Sequence, residues 1–339
     1  MIFNNFDSRK LVALSQYWQP IKDRVLPHPI GMSLDLGNKC QNSCYFCNAK
    51  KIKPKKQMDN KTLDHVIDFL KLGTKSVCIA GGKESLTNPN APEFIDRILS
   101  ETKAGVGIIT NGVKYHDLNP KIRFINVSVN AGDRWTYRTV CGEDNYNQVL
   151  INISKWIKHG HNVTYKYMIT DKNKSQAQLQ AAIVKANDLK CNTILFRYAG
   201  NAWFKGGKSI INITERERKS IEYTLNAFSG YGDLSVKIVF PIDRTDRYSV
   251  KETPEFCAGC MINVVVTAEG EVYGCSDHRG NPKLHYCHIK DLKEFWGSEK
   301  HWKIIDSVNP KKCPRCSFYQ HSKVIDEFVY NDVSNQYFI

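Results

Sequence analysis

The stretch Cys40-Gln41-Asn42-Ser43-Cys44-Tyr45-Phe46-Cys47 places three cysteines three and then two residues apart. Three thiolates on one short loop can curl round a cubane iron–sulfur cluster, which normally takes four cysteines. Holding it with three leaves one iron open, and an open iron can bind and activate a molecule where a fully ligated cluster mostly carries electrons. A zinc knuckle is the competing reading. Zinc usually takes a fourth Cys or His nearby, however, and His28 and His65 lie well outside the loop.

The flanking sequence says how such a loop would be held. Residues 30–36 alternate apolar and polar positions at the strand period. Residues 61–72 carry Leu63, Val66, Ile67 and Leu70 at helical spacing. The cysteines therefore follow the C-terminal end of a first strand, where α/β barrels build active sites. The spacing Cys-x3-Cys-x2-Cys, with Phe46 just before the last cysteine, resembles the hallmark of the radical S-adenosylmethionine (SAM) enzymes. That resemblance implies a 4Fe–4S cluster on Cys40, Cys44 and Cys47 that binds SAM through its open iron. Reductive cleavage of SAM would then release methionine and a 5′-deoxyadenosyl radical able to take a hydrogen atom from a substrate. In such chemistry the cofactor supplies the reactivity, and the protein supplies orientation and electrostatics.

Further strand patterns recur at 76–80, 105–110, 124–130, 162–169 and 193–198, with amphipathic helical spacing at 63–70, 93–100, 148–157 and 178–189. Alternating β and α elements predict a parallel sheet with right-handed crossovers. The fold class expected is α/β: a partial (β/α)6 TIM-like barrel over 30–245, behind a helical cap at 1–29. Thr214 and Glu217 form a candidate capping box for a helix over 214–228. The texture changes after Pro241, so a boundary is expected within 243–253. A small cysteine-rich auxiliary domain of β-hairpin and helix is expected over 246–339.

The resemblance also implies a SAM pocket. After the second strand comes Ala80-Gly81-Gly82-Lys83-Glu84-Ser85, a turn whose glycines let backbone approach a ligand closely. In the family this turn meets the SAM amino group, which points to Gly81, Gly82 and Glu84. Ser85 stands where proline is common. Asn111 ends the third strand, while Ser128 and Asn130 end the fourth with groups able to hydrogen-bond ribose hydroxyls. Arg138 resembles the family arginine that pairs with the SAM carboxylate, and Phe46 can pack near the adenine.

The second constellation is Cys260, nine residues, Gly270, four residues and Cys275, with Cys313-Pro314-Arg315-Cys316 much later. A hairpin with strands at 263–267 and 271–274, turning at 268–270, would bring Cys260 and Cys275 together. Cys313 and Cys316 would complete four sulfurs. This resembles the auxiliary-cluster region of SPASM and Twitch radical SAM proteins, in the shorter form with one auxiliary 4Fe–4S cluster. A structural zinc site shares that ligand spacing. Cys257 could replace Cys260, and Cys287 also lies nearby. Cys78, Cys141 and Cys191 read as buried apolar thiols, and the histidines at 278, 285, 288, 301 and 321 as surface residues.

An auxiliary cluster that accepts an electron from the substrate implies a two-electron, dehydrogenase-like oxidation. A proton must leave too, and Asp277 and Arg197 are the candidates for handling it. An exposed hairpin-end aspartate and a salt bridge are the plainer readings of those two. A small polar substrate, sugar-like or aminocyclitol-like, is expected first. A peptide follows, with ~29 residues before the first strand counting against a peptide-binding N-terminal domain. Nucleic acid rests only on the net charge of +14. The basic run at 50–56 directly follows the cluster loop and has no aromatics to stack on bases. A flavodoxin- or ferredoxin-type electron donor is implied as partner.

The 339 residues allow one large domain plus a smaller one. No run approaches ~18 apolar residues, and no basic segment followed by an apolar core opens the chain. Twelve cysteines in that setting indicate metal or redox chemistry in a reducing cytoplasm. A non-enzymatic zinc-binding module would explain the cysteines but not the ordered barrel segments.

Overall fold

The computed structural model describes residues 8–50, 52, 56–200, 211–229, 234–240, 256–313 and 316–330. The expected boundary at 243–253, most of the lysines in the basic run, and Pro314 and Arg315 lie outside them.

A short helix, α1 (Trp18–Lys22), precedes β1 (Gly31–Leu34), α2 (Asn60–Leu70), β2 (Ser76–Ile79), α3 (Ala91–Glu101), β3 (Gly105–Thr110) and β4 (Phe124–Ser128). Then come α4 (Arg134–Cys141), α5 (Tyr146–Lys158), β5 (Val163–Ile169), α6 (Gln176–Asp188), β6 (Thr193–Tyr198), α7 (Glu215–Ser229) and β7 (Lys237–Val239). The C-terminal part adds α8 (Gly259–Ile262), β8 (Asn263–Val266), β9 (Glu271–Tyr273), β10 (His285–His288), α9 (Leu292–Phe295), α10 (Glu299–Asp306) and α11 (Tyr319–Ile325). One open sheet runs in the order β10-β9-β8-β1-β2-β3-β4-β5-β6-β7, with β1 to β7 parallel to their neighbours. It is an α/β partial barrel.

Apolar helix faces cover the outside of this sheet. Leu63, Val66, Ile67 and Leu70 of α2 are all buried, and the capping box of α7 forms: Thr214 N–H donates to Glu217 (2.8 Å) and Glu217 N–H to the Thr214 hydroxyl (3.3 Å). The inner face is polar and half-buried at Ser33, Cys78, Ser128, Lys166 and Arg197. Phe124 plugs the interior against Gly107, where a Cβ would fall 2.2 Å from the ring.

Three elements differ from expectation. A seventh parallel strand, β7, follows the expected six. Helix α4, eight residues long with Val140 as its one aliphatic residue, has no counterpart among the expected helices. It forms because Asp133 caps the Thr136 N–H (2.8 Å) and Gly142, at φ 78°, terminates it. The cysteine-rich hairpin also joins the barrel sheet directly, with β8 parallel to β1 in the register Gly31↔Asn263 to Leu34↔Val266. All of Asn263-Val264-Val265-Val266 is buried, as a strand covered on both sides requires. Among the described residues, no helix is long and apolar enough to cross a membrane.

His301 corrects another expectation, because it is wholly buried rather than at the surface. It sits among Trp296 (centroids 4.3 Å), Tyr286 (4.8 Å) and Trp302 (5.2 Å). Burial pushes its pKa down to about 4. The unfolded chain therefore binds a proton that the fold refuses, and stability falls as pH drops from about 6.5 towards 4. The loss amounts to about 3 kcal/mol. Urea unfolding should show this slope in the wild-type chain and not in His301→Phe. Equal slopes would rule it out.

Candidate functional site

The cluster loop leaves β1 and is clasped from the far side by α4 and α5. The Asn42 amide donates to the Tyr137 hydroxyl (2.8 Å) and accepts from Asn145 (3.0 Å). The Ser43 N–H donates to the Cys141 carbonyl (2.9 Å). The Tyr45 hydroxyl donates to Asp171 (2.6 Å), while Phe46 meets the Tyr45 ring edge-on. Donors converge on the sulfurs: Asn42 N–H (3.4 Å) and the Asn111 amide (3.5 Å) on Cys40, and Ala49 N–H (3.3 Å) on Cys47. Such donors stabilise thiolate sulfur in iron–sulfur sites.

Cys40, Cys44, Phe46 and Cys47 line a cavity of about 1010 Å³ at the mouth of the barrel. Burial pushes the Cys40 thiol up to about 11 and raises Cys47 as well. These thiols are therefore not free thiolates at neutral pH; a metal cluster would supply the positive charge that ionises them. Among the described residues, no three His, Cys, Asp or Glu side chains are gathered tightly enough for one metal ion. Three cysteine sulfurs on one loop lining one cavity, two of them met by N–H donors, are the kind of donor set a cubane takes.

The Gly81-Gly82 turn faces the loop across the cavity, with both glycines at positive φ (126° and 62°). Glu84 also lines the cavity, but its carboxylate is occupied: it accepts from Leu86 N–H (3.1 Å), the Thr110 hydroxyl (2.9 Å) and Asn111 N–H (2.5 Å). It ties the second strand end to the third. Ser85 accepts the Leu36 N–H (3.1 Å), binding this turn to the end of β1.

A contact that no local pattern announces crosses the Gly81 turn. Arg279 donates to the Ala80 carbonyl (3.1 Å) and pairs with Asp35 (2.8 Å). A Cβ on Gly81 would lie 2.6 Å from that guanidinium. Asp35 is wholly buried, and burial pushes its carboxyl up to about 7 while Arg279 opposes the rise. Arg279 lies four residues beyond Cys275, so this pair joins the C-terminal segment to the turn.

Ser128, Asn130, Asn111 and Arg197 all line the cavity. Asn130, at φ 63°, spends its side-chain oxygen on the Met168 N–H (2.9 Å). Arg138 stands exposed on α4, outside the cavity lining. Its position on the helix was invisible without α4 itself. Cys78 lines the cavity, whereas Cys141 and Cys191 are buried as expected.

The second set of thiols lies behind the cavity wall. Cys260 and Cys275 each lie within electrostatic reach of Cys257 and Cys316, and Cys313 within reach of Cys257. Cys257 and Cys260 are 3.5 Å apart. Five sulfurs thus gather where four were expected. Cys287 instead faces Asp291, Glu271 and Glu294. Asp277 is buried, and corrects the reading of an exposed hairpin-end aspartate. Its two oxygens accept the N–H and the hydroxyl (3.0 Å for the latter) of Ser317, next to Cys316. Ser276 and Asp277, after Cys275, and Ser317 and Phe318, after Cys316, form the wall between the thiols and the cavity.

Residues 34–177 match the family described as the radical SAM superfamily. No curated protein matches the chain. Among solved structures, Streptococcus suis SuiB bound to precursor peptide SuiA is similar over 97% of this chain and 81% of its own, with 14% identity and a TM-score of 0.65. SuiB bound to S-adenosylmethionine gives 97% and 79%, 13% identity and 0.64. Native anSMEcpe with bound AdoMet and Kp18Cys peptide gives 86% and 88%, 16% identity and 0.62. Residues 34–177 thus carry the match to the radical SAM superfamily, in a chain whose fold is shared with SuiB and anSMEcpe.

Proposed function

We propose that this protein is a radical SAM oxidoreductase that takes a hydrogen atom from a peptide substrate and completes a two-electron oxidation through an auxiliary 4Fe–4S cluster. One observation carries the reading: the three thiols of the cluster loop, the Gly81-Gly82 turn, Ser128 and the wall before the second thiol set all face one cavity. Cys40, Cys44 and Cys47 would hold the first cluster, whose chemistry is the one-electron cleavage of SAM. The Gly81-Gly82 turn, covered in part by Arg279, would stand beside the SAM amino group, and the Ser128 hydroxyl suits a ribose hydroxyl.

Cys275, Cys313 and Cys316, with Cys257 or Cys260, would hold the auxiliary cluster. Asp277 anchors the Cys316 segment through Ser317 and, as a carboxylate on the cavity lining, is the one of the two candidates that would take the proton, whereas Arg197, a permanent cation, would orient substrate. The peptide reading is supported by SuiB bound to precursor peptide SuiA and by anSMEcpe with a peptide. The sugar-like or aminocyclitol-like substrate gains no support from these neighbours. A one-electron donor of the flavodoxin or ferredoxin type would supply the reductant.

Anaerobic reconstitution followed by metal analysis tests the assignment. Two cubanes give about eight irons per chain, since each holds four. Zinc with no iron would overturn the enzyme reading, and about four irons would remove the auxiliary cluster alone.

A further inference from the structure

The cavity at the mouth of the barrel carries a lopsided charge. Among the described residues its lining includes seven lysines and arginines but only two acids, Glu84 and Asp277. Glu84 follows β2 and Asp277 follows β9, and neither strand neighbours β5 or β6 in the sheet. Most of the cations have a place in the site already described. Lys39 and Lys50 flank the cluster loop in sequence, Lys83 follows the Gly81-Gly82 turn, and Arg279 covers that turn while pairing with Asp35. Lys10 is exposed. Lys166 and Arg197 belong to neither group, since they line the cavity from β5 and β6 and are half-buried there. The strand register sets these two close together. Lys166 lies opposite Leu195 and Met168 opposite Arg197, so the two cations sit one diagonal apart on neighbouring strands. A strand spacing of about 4.8 Å and a rise of about 3.3 Å per residue put their Cα atoms on the order of 8 Å apart. Two long side chains at that separation can close on one small anion.

Resting on the peptide reading above, we infer that Lys166 and Arg197 form a substrate subsite for a carboxylate, so that the peptide acted on presents an acidic side chain or its own C-terminus to the barrel interior. A guanidinium matches the two oxygens of a carboxylate with paired N–H donors, and an ammonium adds a point charge beside it. An ammonium has three donors and a guanidinium five, so each can keep a protein neighbour and still hold a ligand. Partial burial strengthens the attraction relative to open solvent. SAM has its own cations: Lys83 and Arg279 stand at the Gly81-Gly82 turn, where that reading puts its amino group and hence the carboxylate on the same carbon.

The test is fluorescence anisotropy of labelled synthetic peptide mixtures on the reconstituted protein with SAM present. Each mixture is amidated, with random uncharged residues around a fixed central Glu, Gln or Lys; a further Gln mixture keeps a free C-terminal carboxylate. The Glu mixture should bind about tenfold tighter than the amidated Gln mixture, with the Lys mixture weakest. Tighter binding of the free-acid Gln mixture than of the Glu mixture would identify the C-terminus as the carboxylate held. Arg197→Lys should keep the preference for a carboxylate, Arg197→Met should weaken it, and Lys166→Met/Arg197→Met should abolish it. Equal affinities for the Glu, Gln, Lys and free-acid mixtures in the wild-type chain would overturn the inference, as would a preference that survives in the double variant. Loss of the SAM-responsive electron paramagnetic resonance signal in Arg197→Met would assign that cation to SAM and overturn it too. A SAM-responsive wild-type chain that binds none of the mixtures would instead reject the peptide reading beneath it.

Discussion

Cys40→Ala is expected to abolish SAM cleavage and to lower bound iron by about four atoms per chain, one cubane's content. The loop has three candidate ligands for the first cluster, and removing one leaves two. Cys141 is not placed to replace it, since it is wholly buried and off the cavity lining. The fold should survive, because Cys40 lies on the cavity lining outside the hydrophobic core and its neighbours Asn42 and Ser43 keep their bonds to Tyr137, Asn145 and Cys141. Circular dichroism should therefore match wild type while 5′-deoxyadenosine production falls to background. Retention of both iron and cleavage would mean that another set of thiols holds the SAM-binding cluster.

Arg279→Met should be the most damaging single change away from the cysteines. It strips the cation from Asp35, which has no exposed surface. Breaking one side of a buried ion pair typically costs about 3–5 kcal/mol. The carboxyl can escape part of that cost by taking a proton, since burial already holds it up to about 7. The penalty should thus grow as pH rises from 6 to 8, by up to about 1.4 kcal/mol per pH unit. Arg279 also covers the Gly81 turn and bonds the Ala80 carbonyl, so SAM affinity should weaken on the order of tenfold, about 1.4 kcal/mol. The double variant Asp35→Asn/Arg279→Met should regain much of the stability but not the SAM affinity. A single variant within about 1 kcal/mol of wild type at pH 8 would contradict the role given to this pair.

The parts of this molecule that announce themselves in sequence are those whose physics is local. The Cys-x3-Cys-x2-Cys loop, the six expected strands and the Thr214/Glu217 cap each depend on residues a few positions apart. What sequence conceals is pairing over long separations. Nothing near Asp35 predicts Arg279, and nothing near Ser317 predicts that it would occupy Asp277. Helix α4 was hidden because it is only eight residues long and sets its buried Tyr137, Val140 and Cys141 among arginines and threonines, with Trp135 exposed. With α4 missing, Arg138 could not be assigned a face, and Cys141 could not be linked to the cluster loop. Strand β8 was expected as half of a separate hairpin. Its all-buried Asn-Val-Val-Val run is the signature of a strand with neighbours on both sides, which it finds in β1.

The central claim is that Cys40, Cys44 and Cys47 hold a cluster with an iron open to SAM. Electron paramagnetic resonance of the dithionite-reduced, reconstituted protein, recorded with and without SAM, tests it most directly. A signal that shifts on adding SAM in the wild-type chain, and is missing in Cys40→Ala, is the predicted result. An iron-loaded wild-type chain whose spectrum ignores SAM, or a SAM response that persists in Cys40→Ala, would contradict it.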